Sequence, residues 1–499
     1  MSVIRWKNDL TYDIGVPGDW VGDAGPSGAP GASPFNAGGG FGNVASAAGD
    51  AMAQRPKLDT LAGFTGADGS YPAGALIADA AGDLFGTTYE GGANGYGAVF
   101  EIVKTKGGYA DAPITLVSFT NADGADPYGS LTADAAGDLF GTTEAGGADG
   151  KGTAFELTKS NSGYADAPTT LVSFGVQEYG AAPLGGLIAD AAGDLFGTCY
   201  EGGDSGDGTV FEIAKTQGGY AAPTILADFL GPNGANPQGG SLTFDAAGDL
   251  FGTASAGGAD NDGTVFEIVK KKDGYAGKLK TLVSFTGADG AQPESSLITD
   301  AAGDLFGTTE LGGPTNDGTV FEIVKTGGGY ASAPATLVDF DLSDGALPLG
   351  ALIADAAGNL FGTAYAGGPD NDGTVFEIAK TESGYASKPT LLVKFTGADG
   401  ADPVGGLLAD AAGDLLGTTA QGGPDSDGTV FEITHSGFTP PAAPVARAAA
   451  SLVDWSPPRA AFVQAMASWG PGGSGDINAS ILVSRHESPT LLSRPHAAA

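Results

Sequence analysis

Residues 79–87 read D-A-A-G-D-L-F-G-T, and the same nine residues return with minor changes from Asp134, Asp190, Asp245, Asp300, Asp355 and Asp410. The seven copies are spaced by 55 or 56 residues. A period this strict marks one supersecondary unit repeated as an array, so the chain has to be read as a repeat before its domains are counted. Each copy holds four short runs rich in β-branched and aromatic residues and bounded by Gly, Pro and Asp, the pattern of strands. In the second copy they are S-L-T-A-D ending at Asp134, D-L-F-G-T-T from Asp138, T-A-F-E-L-T from Thr153 and T-L-V-S-F ending at Phe174. We call these runs A, B, C and D.

The D-A-A-G link between A and B suits a type I turn closed by a residue at positive φ. The repeated Asp then serves as a turn residue whose carboxylate accepts local N–H bonds, with ligand binding as the alternative. Four antiparallel strands per copy and no helical period between them predict an all-β fold, a seven-bladed β-propeller of four-stranded blades. A D-type run, T-L-A-G-F at Thr60 to Phe64, precedes the first A, while the last copy stops after C at Phe431 to Thr434. These pieces make one blade between them. The N-terminal strand is therefore expected to complete the last blade and close the ring, where a solenoid would need capping units at both ends.

The repeats fill residues 58–435. Residues 1–57, rich in Gly, Ala and Pro, read as a loosely ordered arm. Residues 436–455 read as a Pro/Ala linker. In 456–499, Ser456 and Pro457 open a short helix with Phe462, Met466 and Trp469 on one face, and the tail is a candidate export or attachment element.

With 59 Asp and Glu against 22 Lys and Arg, the formal net charge is −37. Such a surface repels phosphate backbones, which excludes nucleic acid, and suits cations, cationic partners or solubility in extracellular surroundings. No apolar run approaches the roughly 18 to 20 residues of a membrane-spanning helix. Arg5, Lys7, Asp9 and Asp13 interrupt the start of the chain, so no cleaved secretory signal is visible. The expected location is outside the cell by another route, with the cytoplasm as the alternative, and the expected state is a monomer. The single cysteine, Cys199, replaces a Thr or Ala of the other copies, which disfavours disulfides, a Cys-ligated metal and a thiol nucleophile.

In an up-and-down blade the B-C and D-A loops share one face. The B-C loops include G-G-A-D-N-D-G from Gly257, G-G-P-D-N-D-G from Gly367 and G-G-P-D-S-D-G from Gly422; the D-A loops include N-A-D-G-A-D-P from Asn121 and G-A-D-G-A-D-P from Gly397. One face should thus carry a ring made of Asp123, Asp126, Asp260, Asp262, Asp370, Asp372, Asp399, Asp402, Asp425 and Asp427. D-x-D-G is a fragment of a Ca²⁺ loop without the distal Glu, so these residues are plain turn residues or, if two loops pool ligands, Ca²⁺ candidates. Glu101 and its six equivalents in strand C read as structural acceptors. No catalytic residues emerge: His435, His486 and His496, the only histidines, lie at or beyond the end of the repeats, and G-D-S-G from Gly203 is a B-C loop variant.

The unit L-I-A-D-A-A-G-D-L-F-G-T-T-Y-E-G-G from Leu76, with D-G-T-V-F-E-I as it stands from Asp207, resembles the GloVer tandem repeat of Gloeobacter and Verrucomicrobia, found in choice-of-anchor proteins. The likeness spans Leu58 to His435, with F-G-T where that family often has Y-G-T. It implies a bacterial surface or secreted protein with no catalytic residues to carry over. The leading expectation is a non-enzymatic binding or scaffold module taking a protein or glycan ligand on its acidic face. The alternative is a propeller hydrolase or lyase acting on a glycan or lactone, with a metal held by Asp at the central opening. An enzyme should break the sevenfold regularity at one pocket, whereas a scaffold should keep interchangeable loops; the sequence reads as the second.

Overall fold

The computed structural model describes residues 55–175, 179–272 and 274–441. The arm before Arg55, most of the Pro/Ala linker, and the expected helix and tail of 456–499 lie outside the described residues. Those described form seven four-stranded antiparallel sheets in the order A-B-C-D, the blades of a β-propeller, and contain no helix. Blade 1 consists of Ile77–Ala78, Leu84–Thr88, Ala98–Ile102 and Ile114–Ser118. Blade 7 takes Leu408–Ala409, Leu415–Thr419 and Thr429–Thr434 from the last copy and its outer strand, Lys57–Gly63, from the first. Leu58 pairs with Ile433 and Gly63 with Thr429, so the ring closes as the phase of the repeats requires.

Strands B and C are sandwiched between neighbouring blades, which is why L-F-G-T and V-F-E-I are apolar on both faces. Their side chains form clusters shared by consecutive blades; the one across the closure joins Leu416 and Val430 of blade 7 to Leu76, Leu84 and Phe100 of blade 1. The Gly of L-F-G-T makes room for the strand-C Phe. A β-carbon on Gly86 would lie 2.6 Å from Phe100 Cζ, and the other six copies repeat this contact.

All seven A-B turns use their Asp as a local acceptor. Asp79 Oδ1 accepts the N–H groups of Ala81 at 2.8 Å and Asp83 at 3.1 Å, and Asp410 does the same for Ala412 and Asp414. The strand-C glutamates divide. Glu267 accepts from Lys280 at 2.6 Å, whereas Glu101 sits half-buried beside Asp83 and Asp79 with Lys159 of the next blade, and burial together with those carboxylates raises its pKa.

A hairpin between C and D, which the four-strand reading of the repeat omits, projects from each of blades 1 to 6, as in Lys104–Thr105 with Gly108–Tyr109. Its signal is the recurrent Lys followed four or five residues later by Gly-Tyr. In blades 2 to 6 the Tyr packs edge-on against the strand-B Phe of the preceding blade, Tyr164 on Phe85 at 5.6 Å, whereas Tyr109 of blade 1 packs on the cluster that holds Leu416. In blades 1 to 5 the Lys reaches the same preceding blade's turn Asp: Lys159 to Asp79 at 3.4 Å, and Lys104 to Asp410 at 3.5 Å across the closure. Among the described residues blade 7 has no such hairpin. Phe438 takes its place on Phe361 at 5.1 Å, held by Ser436 Oγ donating to Gly413 O at 2.7 Å, so the first residues of the 436–455 segment pack on the propeller.

Candidate functional site at the axial mouth

Each D-A loop folds back onto the end of strand B of the blade it enters, as in the bridge between Ala125 and Ala145. The next residue, just before a Pro, has a left-handed backbone in every blade: Tyr71, Asp126, Ala182, Asn236, Gln292, Leu347 and Asp402, with φ from 52° to 59°. Two main-chain bonds hold it there. Asp126 donates to Tyr96 O and accepts from Glu144 N, both at 3.0 Å. A side chain in this conformation costs about 1 kcal/mol that Gly avoids. The chain uses Gly freely elsewhere, yet keeps side chains at these seven points, and strain of this kind concentrates at ligand-holding sites.

Two more positions per blade join this residue at the axis, the one after the Pro and the one that directly follows strand B. The triplets are Tyr71, Ala73, Tyr89; Asp126, Tyr128, Glu144; Ala182, Leu184, Tyr200; Asn236, Gln238, Ser255; Gln292, Glu294, Glu310; Leu347, Leu349, Tyr365; and Asp402, Val404, Ala420. No two blades carry the same triplet. The mouth therefore breaks the sevenfold regularity that the strands keep.

Tyr128 sits at the centre. Tyr89 meets it edge-on at 6.0 Å and meets Tyr71 at 5.9 Å. On one side lie Ala73, Val404 and Ala420, packed with Tyr71, Leu349 and Tyr365. On the other lie the acids and amides, where Gln238 Nε2 donates to Glu294 Oε2 at 3.2 Å and Tyr89 Oη to Glu144 Oε2 at 2.9 Å. Between them is a cavity of about 50 Å³ bounded by Tyr128, Ser130, Glu294, Leu349 and Val404 among others. Glycines bring successive main chains together around it: a β-carbon on Gly405 would lie 2.9 Å from Gly74 O, and one on Gly129 2.5 Å from Gly186 N.

The mouth is acidic without a counter-charge. Burial, then Glu144 and Glu90, push Asp126 up to about 6. Burial also brings Asp402 to about 6, against the hydrogen bond from Tyr365. Glu294 and Glu310 lie in contact, and burial, the largest cause, raises both carboxyls above their ordinary pKa. Burial raises the hydroxyls of Tyr89, Tyr128 and Tyr365, which stay neutral. No Lys or Arg is among the groups acting on these carboxyls.

Of the ten Asp singled out in the sequence, Asp126 and Asp402 stand at the mouth. Asp123 and Asp399 accept the N–H groups of Thr120 and Thr396 at 2.8 and 2.9 Å and act as turn residues. Asp260, Asp370 and Asp425 are exposed at loop tips; Asp262, Asp372 and Asp427 lie beside Gly287, Gly397 and Gly66 of the adjoining D-A loops. The loops bring Asp372 near Asp370 and Asp399, and these neighbours add to the burial that raises it. Among the described residues, no three His, Cys, Asp or Glu side chains are grouped to hold a metal ion. The tyrosines and Glu144, Glu294 and Glu310 were not among the sequence candidates. The signal was present in the changes of residue type from copy to copy on either side of the loop Pro.

The fold and the site define a class, a seven-bladed propeller of near-identical repeats with one asymmetric axial mouth. The chain belongs to the Gloeobacter/Verrucomicrobia repeat family, which it matches over residues 38–211, 115–276 and 222–431. No curated protein matches it. Among solved structures, it is similar to a candidate 6-phosphogluconolactonase of Bacteroides uniformis, at 16% identity and a TM-score of 0.45 over 72% of this chain and 96% of that one. A candidate 6-phosphogluconolactonase of Bacteroides fragilis matches at 15% and 0.44 over 70% and 87%. A gluconolactonase of Xanthomonas campestris matches at 13% and 0.38 over 76% and 89%.

Proposed function

We propose that this protein is a non-enzymatic binding module of a bacterial surface or exterior, and that it takes one ligand at the axial mouth. The observation that carries the reading is the set of seven different triplets, each presented from a left-handed residue, on blades whose strands repeat almost unchanged. Seven equivalent outer loops would offer seven weak sites; a mouth without symmetry offers one. Broken regularity was the mark expected of an enzyme, but the chemistry at the mouth favours binding. Glu294 and Glu310 are in contact, whereas two carboxyls that flank a scissile glycosidic bond stand about 5 to 9.5 Å apart. The acidic composition supports an extracellular setting.

The test is a thermal-shift screen of the full chain against soluble glycans, peptides and small charged molecules, repeated with Tyr89→Ala and with Asp260→Asn. A ligand whose stabilisation disappears in Tyr89→Ala but survives in Asp260→Asn supports the mouth. A ligand that ignores Tyr89 and depends on the outer Asp residues would return the site to the loop tips.

A further inference from the structure

We propose that the mouth recognises an organic ammonium ion, a protonated amine whose head lies against Glu294, Glu310 and Tyr128 and whose alkyl chain lies on the apolar side formed by Ala73, Leu349 and Val404. The inference rests on the reading of the mouth as a ligand site and adds the chemistry of the ligand. Its first support is the division of the cavity. One wall is aliphatic and aromatic, the other carries the Glu294 carboxyl, backed by Glu310, with no Lys or Arg acting on either. An occupant that satisfies both is positively charged at one end and apolar along its body.

The second support is Tyr128. Its ring lines the cavity, and its hydroxyl has no hydrogen-bond partner among the described residues, although Glu294 and Glu310 act on it from blade 5. Partly buried and bonded to no side chain, this hydroxyl oxygen is free to accept from a bound polar head. An ammonium has three donors, which matches the Tyr128 oxygen and the two carboxyls. The rings of Tyr128 and Tyr89 present further negative faces to a cation. A hard divalent ion fits less well, because it needs several converging oxygens and no group of three acids is arranged for one among the described residues. Size gives a third constraint. A cavity of about 50 Å³ has room for on the order of three or four waters, enough for an ammonium head with its first methylenes and too little for a sugar ring.

A cation beside Glu294 and Glu310 favours their ionised form, so binding lowers the raised pKa of the pair and releases protons. Proton release on binding is thus a signature that adsorption to an acidic surface does not produce.

The experiment is calorimetric titration of the full chain at pH 8 and low salt with 1,5-diaminopentane, N-acetyl-lysine amide and a neutral trisaccharide, each in two buffers of different ionisation enthalpy. The expected result is one saturable amine site per chain with buffer-dependent heat, weakened about tenfold or more in Glu294→Gln, severalfold in Tyr128→Phe, and unchanged in Asp260→Asn. Melting curves of the variants establish that they fold. Binding of the diamine alone identifies a free polyamine as the source; binding of the lysine derivative alone identifies a lysine side chain of a partner. Amine heats that are equal in wild type and Glu294→Gln overturn the proposal. If the trisaccharide binds instead, and Tyr89→Ala abolishes it, the mouth remains the ligand site and the ammonium chemistry falls. If no probe responds to any mouth variant, both readings fall.

Discussion

The ring of Phe438 packs edge-on against Phe361 at 5.1 Å, in the place where Tyr385 meets Phe306 at 5.7 Å one junction earlier. A segment beyond the last repeat thus completes the propeller where blade 7 lacks its own hairpin. Phe438 is 5% exposed, so Phe438→Ala is expected to cost about 3 kcal/mol of stability, measured by denaturant unfolding. A loss below 1 kcal/mol would make the contact incidental.

Gly307 lies where a β-carbon would stand 2.7 Å from Phe321 Cζ. Gly307→Ala therefore overpacks a fully buried junction and is expected to destabilise by about 2 kcal/mol. The double variant with Phe321→Leu should recover part of that loss. An additive double variant would show that the ring is not what the glycine accommodates.

Asp126 and Asp402 have folded pKa values of about 6 against an ordinary 3.8. The folded chain therefore holds these protons more tightly than the unfolded chain. The stability this supplies is complete below the ordinary value and is lost as pH rises through about 6. Discounted for solvent access, the loss is about 1 kcal/mol for each group. Thermal melts are expected to show a higher midpoint at pH 5.5 than at pH 8, with a smaller difference in Asp126→Asn. A midpoint that rises with pH over that window would contradict the assignment.

Asp79 serves its own turn and the neighbouring blade at once, through N–H bonds from Ala81, Gly82 and Asp83 and an ion pair with Lys159 at 3.4 Å. The turn bonds should dominate. Asp79→Ala is expected to cost about 1 to 2 kcal/mol, while Lys159→Met, which removes only a partly exposed pair, should cost less than about 1 kcal/mol. The reverse order in chemical denaturation would make the ion pairs the principal clasp between blades.

At the outer loops, burial and then Asp370 and Asp399 hold the Asp372 carboxyl above its ordinary pKa, a repulsion that any divalent cation relieves. Millimolar Ca²⁺ and Mg²⁺ are therefore both expected to raise the melting midpoint of chelator-treated protein by similar amounts. A rise confined to Ca²⁺ and lost in Asp372→Asn would instead reveal a built calcium site.

The strands, the turn role of the D-A-A-G aspartates and the closure by Lys57–Gly63 were legible in the sequence because each follows from local chemistry or from the phase of a repeat. Short β-branched and aromatic runs bounded by Gly, Pro and Asp, an Asp two and four residues before the amides it accepts, and a D strand without its blade are all contained within one repeat length. The hairpin of Lys104 and Tyr109 was equally local, but runs of two residues fall below what strand patterning detects.

The mouth belongs to the tertiary structure. Tyr128 and Glu294 are three blades apart in the chain, and only closure of the ring sets them on one cavity. Nothing in the spacing of D-x-D-G distinguishes Asp126 and Asp402, turned to the axis by a left-handed backbone, from Asp260 and Asp425, left exposed at loop tips. That backbone is fixed by hydrogen bonds from the preceding blade and from strand B, partners that exist only once the blades stand side by side. The sequence alone determined a closed ring of seven blades; packing between blades decided which of its many acids share a site.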